Sequence, residues 1–428
     1  MKPIGPEAIR QKKKSYLLPC LFHFYQHPPQ IVKGERQYLI DHEGRPYLDF
    51  YAGVAVVNAG HCHPEITEKT CAQIRTLQHT TTIYLTQPIV DMAEKVAAIA
   101  PAGLDKCFFC NSGSEANDGA LILARLATGR HGTISLTHGL HGRTYLTLSV
   151  TGIPMWRTDN APYKEAMLIP GPNCYRCHFQ MRYPTCDVHC ARNLEKAITP
   201  DTAAFIAEPV AGNGGIIVPP PEYFPIIREI TRKAGILFIC DEVQTGINRT
   251  GKMFAIEHWG VTPDILTMAK ALGNGVPVGA YVTTAAIAAA HVKPGASTLG
   301  GNPVTAATVM ATLEVHEKER LQTRAHSLGL YFKEQLKALQ EKYPIIGDVR
   351  GIGLMLGAEL VKTDGSADAE TCDRILESMK DDGVLIGKTG IGRNVLTFQP
   401  PLIVTKDNID EVLGKLDSAL MRNHPHAS

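Results

Sequence analysis

Two residues of this chain sit where their chemistry would be costly unless something used it. Asp241 follows the apolar run ILFIC (236–240), and Lys270 follows DILTMA (264–269). A carboxylate at the end of a buried strand needs a cation or hydrogen-bond donors. A structural Arg or Lys would serve, and so would a protonated heterocyclic nitrogen. A partly desolvated lysine has its charged form disfavoured, and the neutral amine attacks carbonyl carbon. Upstream, Asn111-Ser112-Gly113-Ser114-Glu115-Ala116 joins an apolar run to a helical stretch. Free N–H groups at a helix start favour a bound anion, and serine hydroxyls add donors. Ser114 could equally cap that helix with no ligand present.

Each feature alone is weak. Together they ask for a ligand with a phosphate, a basic ring nitrogen and an aldehyde. Pyridoxal phosphate has all three, and proteins hold it with a Schiff-base lysine and an acidic partner for the pyridinium. The chain has neither GxxxxGK nor GxGxxG, which sets aside a Walker loop and a dinucleotide turn.

The surrounding elements must bring these residues together. CFFC (107–110), TISL (133–136), AAFIA (203–207), ILFIC and DILTMA are short and predominantly apolar, and helical stretches alternate with them. That pattern predicts a buried, mostly parallel sheet. Each run hands over at once to polar or small residues: Asn111–Ser114, His138-Gly139, Glu208-Pro209, Asp241-Glu242 and Lys270. Ligands bind outside the carboxyl ends of such strands, so five clusters predict one site. Before this lies a hairpin pattern, QYLID and PYLDF around HEGR. After about 310 come long charged helical stretches and a last helix at 405–422. The expected division is 1–50, an N-terminal segment joining a small domain; 51–310, a large cofactor-binding domain; and 311–428, a small α+β domain.

Composition narrows the class. The chain has 428 residues, with 43 Lys+Arg against 42 Asp+Glu. So even a balance gives no electrostatic reason to expect nucleic acid or an anionic membrane as partner. No apolar run approaches the ~20 residues of a membrane helix. The N-terminus shows no signal-peptide pattern. Eleven Cys form no regular disulfide framework, so reduced thiols and a cytosolic location are expected.

NSGSEAN (111–117), HGRT (141–144), EPV (208–210), DEVQTGINRTG (241–251), DILTMAKALGNGVPVGA (264–280), STLGGNP (297–303) and QPPL (399–402) occur in that order. The set resembles the class III pyridoxal-phosphate aminotransferases over about 20–425. GHCHPEI (60–66) resembles the alanine–glyoxylate aminotransferase 2 and omega-amino acid branch. The resemblance implies an α/β fold of the aspartate aminotransferase-like kind, fold type I. It implies that Lys270 bonds the cofactor aldehyde and shuttles the substrate proton, and that Asp241 pairs with the pyridine nitrogen. Val243 matches the residue packed on one ring face, and Gln244 the one near the ring hydroxyl. Ser112, Gly113 and Ser114 match the phosphate contacts, and His141 and Glu208 further cofactor-site residues. Thr298 matches a threonine that reaches the partner subunit's phosphate, which implies a homodimer or a dimer of dimers. Arg143 and Tyr25 match substrate contacts. The implied reaction moves an amino group from an amino donor, such as an omega-amino acid, to a 2-oxo acid such as pyruvate or glyoxylate. An amino-acid racemase or epimerase and an amino-alcohol-phosphate phospholyase are the alternatives on this fold.

Two positions depart from the pattern. Leu140 stands where relatives stack an aromatic ring on the cofactor. Thr397 stands where they carry the arginine that clamps the α-carboxylate. Carboxylate recognition is therefore expected to fall on Arg143. A stretch at 171–190 holds Cys174, Cys177, Cys186 and Cys190, with His178 and His189 between them. No metal is the expectation there. A tetrahedral zinc site and a disulfide are the alternatives to free thiols on a surface excursion.

Overall fold

The computed structural model describes residues 2–159 and 166–423. Its largest sheet has seven strands in the order Lys106–Cys110, Gly279–Thr283, Ile265–Ala269, Leu237–Asp241, Thr202–Ala207, Gly132–Leu136 and Ala166–Ile169. Gly279–Thr283 runs antiparallel to both of its neighbours, and every other pairing is parallel. The five apolar runs of the sequence are five of these strands. The antiparallel strand, GAYVT, lies straight after the Lys270 turn and is buried on both faces, so it carries no alternating pattern.

Apolar faces cover both sides of the sheet. One side packs Phe205, Phe224, Phe238, Leu266 and Met268 into a large core. The other packs Ile206, Ile239 and Ile265 against Ala120, Leu121 and Ala124 of the helix Gly113–Thr128. That helix begins where Ser112 Oγ accepts the Glu115 N–H at 3.2 Å, and it ends at Gly129 in the left-handed region. Ser112, not Ser114, is therefore the N-cap.

A second sheet joins Ile346–Ile352, Met355–Leu360, Val395–Phe398 and Gly387–Thr389. The hairpin Tyr38–Asp41/Pro46–Asp49 pairs in parallel with Val384–Leu385, so the N-terminal segment shares a sheet with the C-terminal part of the chain. Leu48 and Phe50 pack with Phe332, Phe398 and Leu416 in one core. The helix Pro303–Lys318 runs through residue 310, so the division expected there falls inside a helix. Among the described residues no helix is long and apolar enough to cross a membrane.

Buried Arg249 ties these parts together. Its guanidinium donates to the carbonyls of Leu354 (2.9 Å) and Pro400 (2.6 Å) and to Asn58 Oδ1. Burial pulls its pKa down to about 9. Truncating a buried cation held by oxygen acceptors costs much, because the acceptors are left buried and unpaired.

Candidate active site

Parallel strands place their carboxyl ends along one edge of the sheet. Asn111, His138, Glu208, Asp241 and Lys270 each stand at or just past such an end. The edge thus gathers an acid with a fixed hydrogen-bond set, a second buried acid and a lysine.

Asp241 is 2% exposed. Its Oδ2 accepts from His141 Nδ1 at 2.7 Å and Asn117 Nδ2 at 2.7 Å, and its Oδ1 accepts the Val243 N–H at 3.0 Å. Asn117 in turn donates to the His141 carbonyl at 2.8 Å and accepts from Thr267 Oγ1 at 2.6 Å. These donors together fix the orientation of the carboxylate. Asn117 and Thr267 were not singled out from the sequence. Asn117 does share a helix stripe with Ala120, Leu121 and Ala124, and a polar residue on such a stripe must have a buried partner.

Glu208 accepts backbone N–H groups from Leu140 at 2.9 Å and Gly212 at 3.0 Å. Burial first, and the neighbouring Asp241 charge second, push its pKa up to about 7. Burial also lowers the pKa of Lys270, against the pull of Glu208 and Asp241. The Lys270 amine makes no hydrogen bond or ion pair among the described residues. Its backbone lies at φ 46°, a left-handed conformation that a lysine holds only when its surroundings impose it.

The loop before the Gly113–Thr128 helix is shaped for close approach. A Cβ on Gly113 would lie 2.7 Å from Val243 Cγ1. Gly142 has φ 147°, and a Cβ there would meet Ser114 Oγ at 2.5 Å. Ser114 Oγ accepts the Arg143 N–H at 3.1 Å. Gln244 is buried, donates to Gln399 Oε1 at 3.1 Å and accepts from Asn213 at 3.3 Å. Thr298 is exposed beside Thr80, Tyr84 and Leu85 on the rim of a 510 Å³ cleft, next to Ser297, whose Oγ accepts from Asn111 Nδ2 at 3.1 Å. Ile83, Tyr84, Leu85, Val90 and Leu299 are exposed around it.

The substrate contacts implied by the resemblance divide. Arg143 is exposed, and its guanidinium has no ion-pair partner among the described residues; it does not pair with Glu208. Leu140 is half-buried beside the Glu208 contact. Thr397 is fully buried in the second sheet, its hydroxyl 2.7 Å from that of Thr389, so it faces no open space. Tyr25 spends its hydroxyl on the Ile386 carbonyl at 2.9 Å.

The cysteine-rich segment gathers Cys174, Cys177, Cys186, Cys190 and His189 around a cavity of about 20 Å³. All four thiols are free, and burial raises the pKa of Cys190 to about 12. Among the described residues no group of three or more His, Cys, Asp or Glu side chains is placed to hold a metal ion. The segment docks through Arg176, which bonds buried Glu359 of the second sheet; Glu359 also pairs with Arg350 at 2.7 Å.

The edge residues fit pyridoxal phosphate: a partnerless amine, a fixed carboxylate and a glycine–serine turn at a 16-residue helix start. The arrangement is that of a fold type I pyridoxal-phosphate enzyme. The pattern of the class-III aminotransferases matches residues 24–420, and the chain belongs to that family. It is 43% identical over 424 residues to "Alanine--glyoxylate aminotransferase 2 homolog 2, mitochondrial" of Arabidopsis thaliana, covering 98% of this chain and 88% of the relative. It is 39% identical to a leucine/methionine racemase of Thermococcus litoralis, over 92% of this chain and 90% of that protein. An aminotransferase structure from Bacillus anthracis superposes with a TM-score of 0.91 at 31% identity, covering 98% of this chain and 100% of that one.

Proposed function

We propose that this aminotransferase moves an amino group from an amino acid, omega-amino acids included, to a 2-oxo acid such as pyruvate or glyoxylate. The observation that carries the reading is the buried, partnerless Lys270 amine, its pKa lowered by burial, on the same strand edge as the fixed Asp241 carboxylate. When bound, pyridoxal phosphate supplies an aldehyde for the donor's amino group and a ring that draws electrons from the adjacent carbon. Lys270 is the residue that would hold the cofactor through its aldehyde, and its amine would carry the proton at the substrate carbon. Asp241 keeps the ring nitrogen protonated, and His141, Asn117 and the Val243 N–H hold the acid for that task. Gly113 and Ser114 receive the phosphate, with Ser112 holding the helix start. Val243 and Leu140 would supply aliphatic contact to the ring, and Gln244 would face its hydroxyl.

The working unit in this proposal is a homodimer, with Thr298 completing the phosphate site of the partner. The exposed apolar residues around Thr298 support a second copy of this chain as their cover. A cytosolic location belongs to the same proposal. The omega-amino preference is supported by Thr397, a buried threonine in the place of the relatives' α-carboxylate arginine.

Single amino donors added to the holoenzyme test the reading through the cofactor's absorbance and the oxo product left by the donor. A lasting absorbance change with stoichiometric oxo acid is expected. Likeness to a racemase favours one second reading. Exchange of the α-hydrogen with no oxo acid formed would establish racemisation in place of transfer.

A further inference from the structure

Arg393 occupies an unusual position for a cation. Its guanidinium lies 5.7 Å from the Phe22 ring centroid and 5.3 Å from that of Phe24. The contact its N–H groups make is with Met155 Sδ, at 3.6 Å, and thioether sulfur is a weak acceptor. No carboxylate pairs with it among the described residues. The side chain is half-buried, and its backbone is held at φ 55°. Ring faces attract the cation but accept no hydrogen bond, so its fork of donors lacks an oxygen partner among the described residues and suits a flat anion. Beside it, Tyr51 packs 5.9 Å from Phe24, and its hydroxyl makes no hydrogen bond among the described residues. The Arg393 charge reaches that phenol, whose proton burial otherwise holds firmly. Trp156 closes the group 6.0 Å from Phe22.

The elements that carry this corner lead back to the active site. The turn before Arg393 is tied by Gly390 N–H to the Asn213 carbonyl at 3.0 Å, in the loop that Glu208 begins. Tyr51 starts the segment that reaches Asn274, just past Lys270, where Ala59 N–H meets Asn274 Oδ1 at 3.0 Å. Met155 and Trp156 follow Gly152, whose N–H meets the Gly139 carbonyl at 2.8 Å, beside Leu140 and His141. Three strand-end loops are thus each joined, by chain continuity or by a hydrogen bond, to a segment that carries part of the aromatic corner.

We infer that Arg393 and Tyr51, framed by Phe22, Phe24 and Trp156, form the receptor for the substrate carboxylate, with the rings taking the substrate's apolar chain. The assignment rests on the amino-transfer reading and names its specificity residue. It also locates what Thr397 lacks: the cation sits in the turn ahead of the strand Val395–Phe398 rather than within it.

The test uses holoenzyme variants Arg393→Gln, Arg393→Lys, Tyr51→Phe and Arg143→Ala. Their kcat/KM is measured with 4-aminobutanoate and with butylamine, and hexanoate binding is followed by calorimetry. Arg393→Gln should lower kcat/KM for 4-aminobutanoate about 100-fold and for butylamine threefold or less, and should weaken hexanoate at least tenfold. Arg393→Lys should recover part of the loss, since charge returns without the fork. Tyr51→Phe should lose about fivefold with the acid alone. Equal losses for acid and amine would overturn the assignment. So would a selective loss in Arg143→Ala with Arg393→Gln unaffected, or hexanoate displaced only by O-phosphoethanolamine. If the wild type transfers amino groups from no amino acid, the amino-transfer reading fails. Hexanoate binding, lost or kept in Arg393→Gln, then still decides the receptor.

Discussion

The surroundings of Asp241 and of Arg393 are opposite solutions to burying a charge. Around Asp241, His141, Asn117 and the Val243 N–H satisfy the carboxylate, and Thr267 satisfies Asn117 in turn. Around Arg393, aromatic rings supply attraction without accepting a hydrogen bond, and sulfur is the acceptor in reach. A closed set of bonds fixes one geometry before anything binds, which suits a cofactor contact that never changes. An open set leaves its strongest bonds unmade and can discriminate among ligands, because each ligand either completes the set or leaves it open. The lysine lies between these extremes: it has no partner, yet the two acids influence it.

Substitutions can break that contrast, and the largest effect is expected at Lys270. Lys270→Ala should cut turnover by about ten-thousandfold or more, since a nucleophile and a proton carrier go together. Borohydride should no longer fix the cofactor to the chain, and covalent labelling of the variant would point to another lysine. Asp241→Asn should retain cofactor, measured by its absorbance after gel filtration, while turnover falls about a thousandfold. Near-normal turnover would remove the carboxylate from the chemistry.

Asn117→Ala probes whether the closed set matters beyond its acid. It takes one donor from Asp241 and leaves the Thr267 hydroxyl without its acceptor, so stability should drop by about 1–3 kcal/mol and turnover about tenfold. An unchanged melting temperature would mean that water replaces the amide.

A stability effect confined to pH concerns Glu242, a buried acid that burial pushes up to about 7 from 4.5, although Thr245 Oγ1 (2.5 Å) and the Ile256 N–H (2.8 Å) bond to it. The folded chain then keeps a proton that the unfolded chain has lost between these two values. Stability therefore falls as pH rises from about 4.5 to about 7, by something on the order of 3 kcal/mol, and stays level above that. Glu242→Gln should flatten the decline in denaturant titrations across this range, and an unaltered slope would place the proton elsewhere.

Much of this was legible in the amino-acid order because both faces of a parallel sheet are covered. Apolar runs such as ILFIC and DILTMA then stand out from their neighbours, and the residue after each run marks the functional edge. Asp241, Lys270 and Glu208 could be placed in that way. Asn117 could not, since a lone Asn inside a helical stretch looks like a solvated residue until its stripe is known. The Arg393 corner was out of reach for another reason. It joins residues near 22, 51, 155 and 393, and no local period encodes such a meeting. Thr397 was legible as a departure, but its burial was not, because that depends on how Thr389 and its strand pair across the small sheet.

The antiparallel strand Gly279–Thr283 also sets a schedule for the chain during its synthesis. Lys106–Cys110, which leads into the glycine–serine turn, pairs with that strand and with no other in its sheet. At about 5–20 residues per second, a ribosome needs roughly ten to thirty seconds to travel from one strand to the other. Through that interval the first strand has an open edge, with Lys106 as its charged guard against stray pairing. Lys270 emerges shortly before its own sheet can close. The nascent chain thus finishes its cofactor pocket only after nearly two-thirds of it has been made, and a truncation just short of Gly279 would leave every strand-end residue present with no completed sheet to hold them.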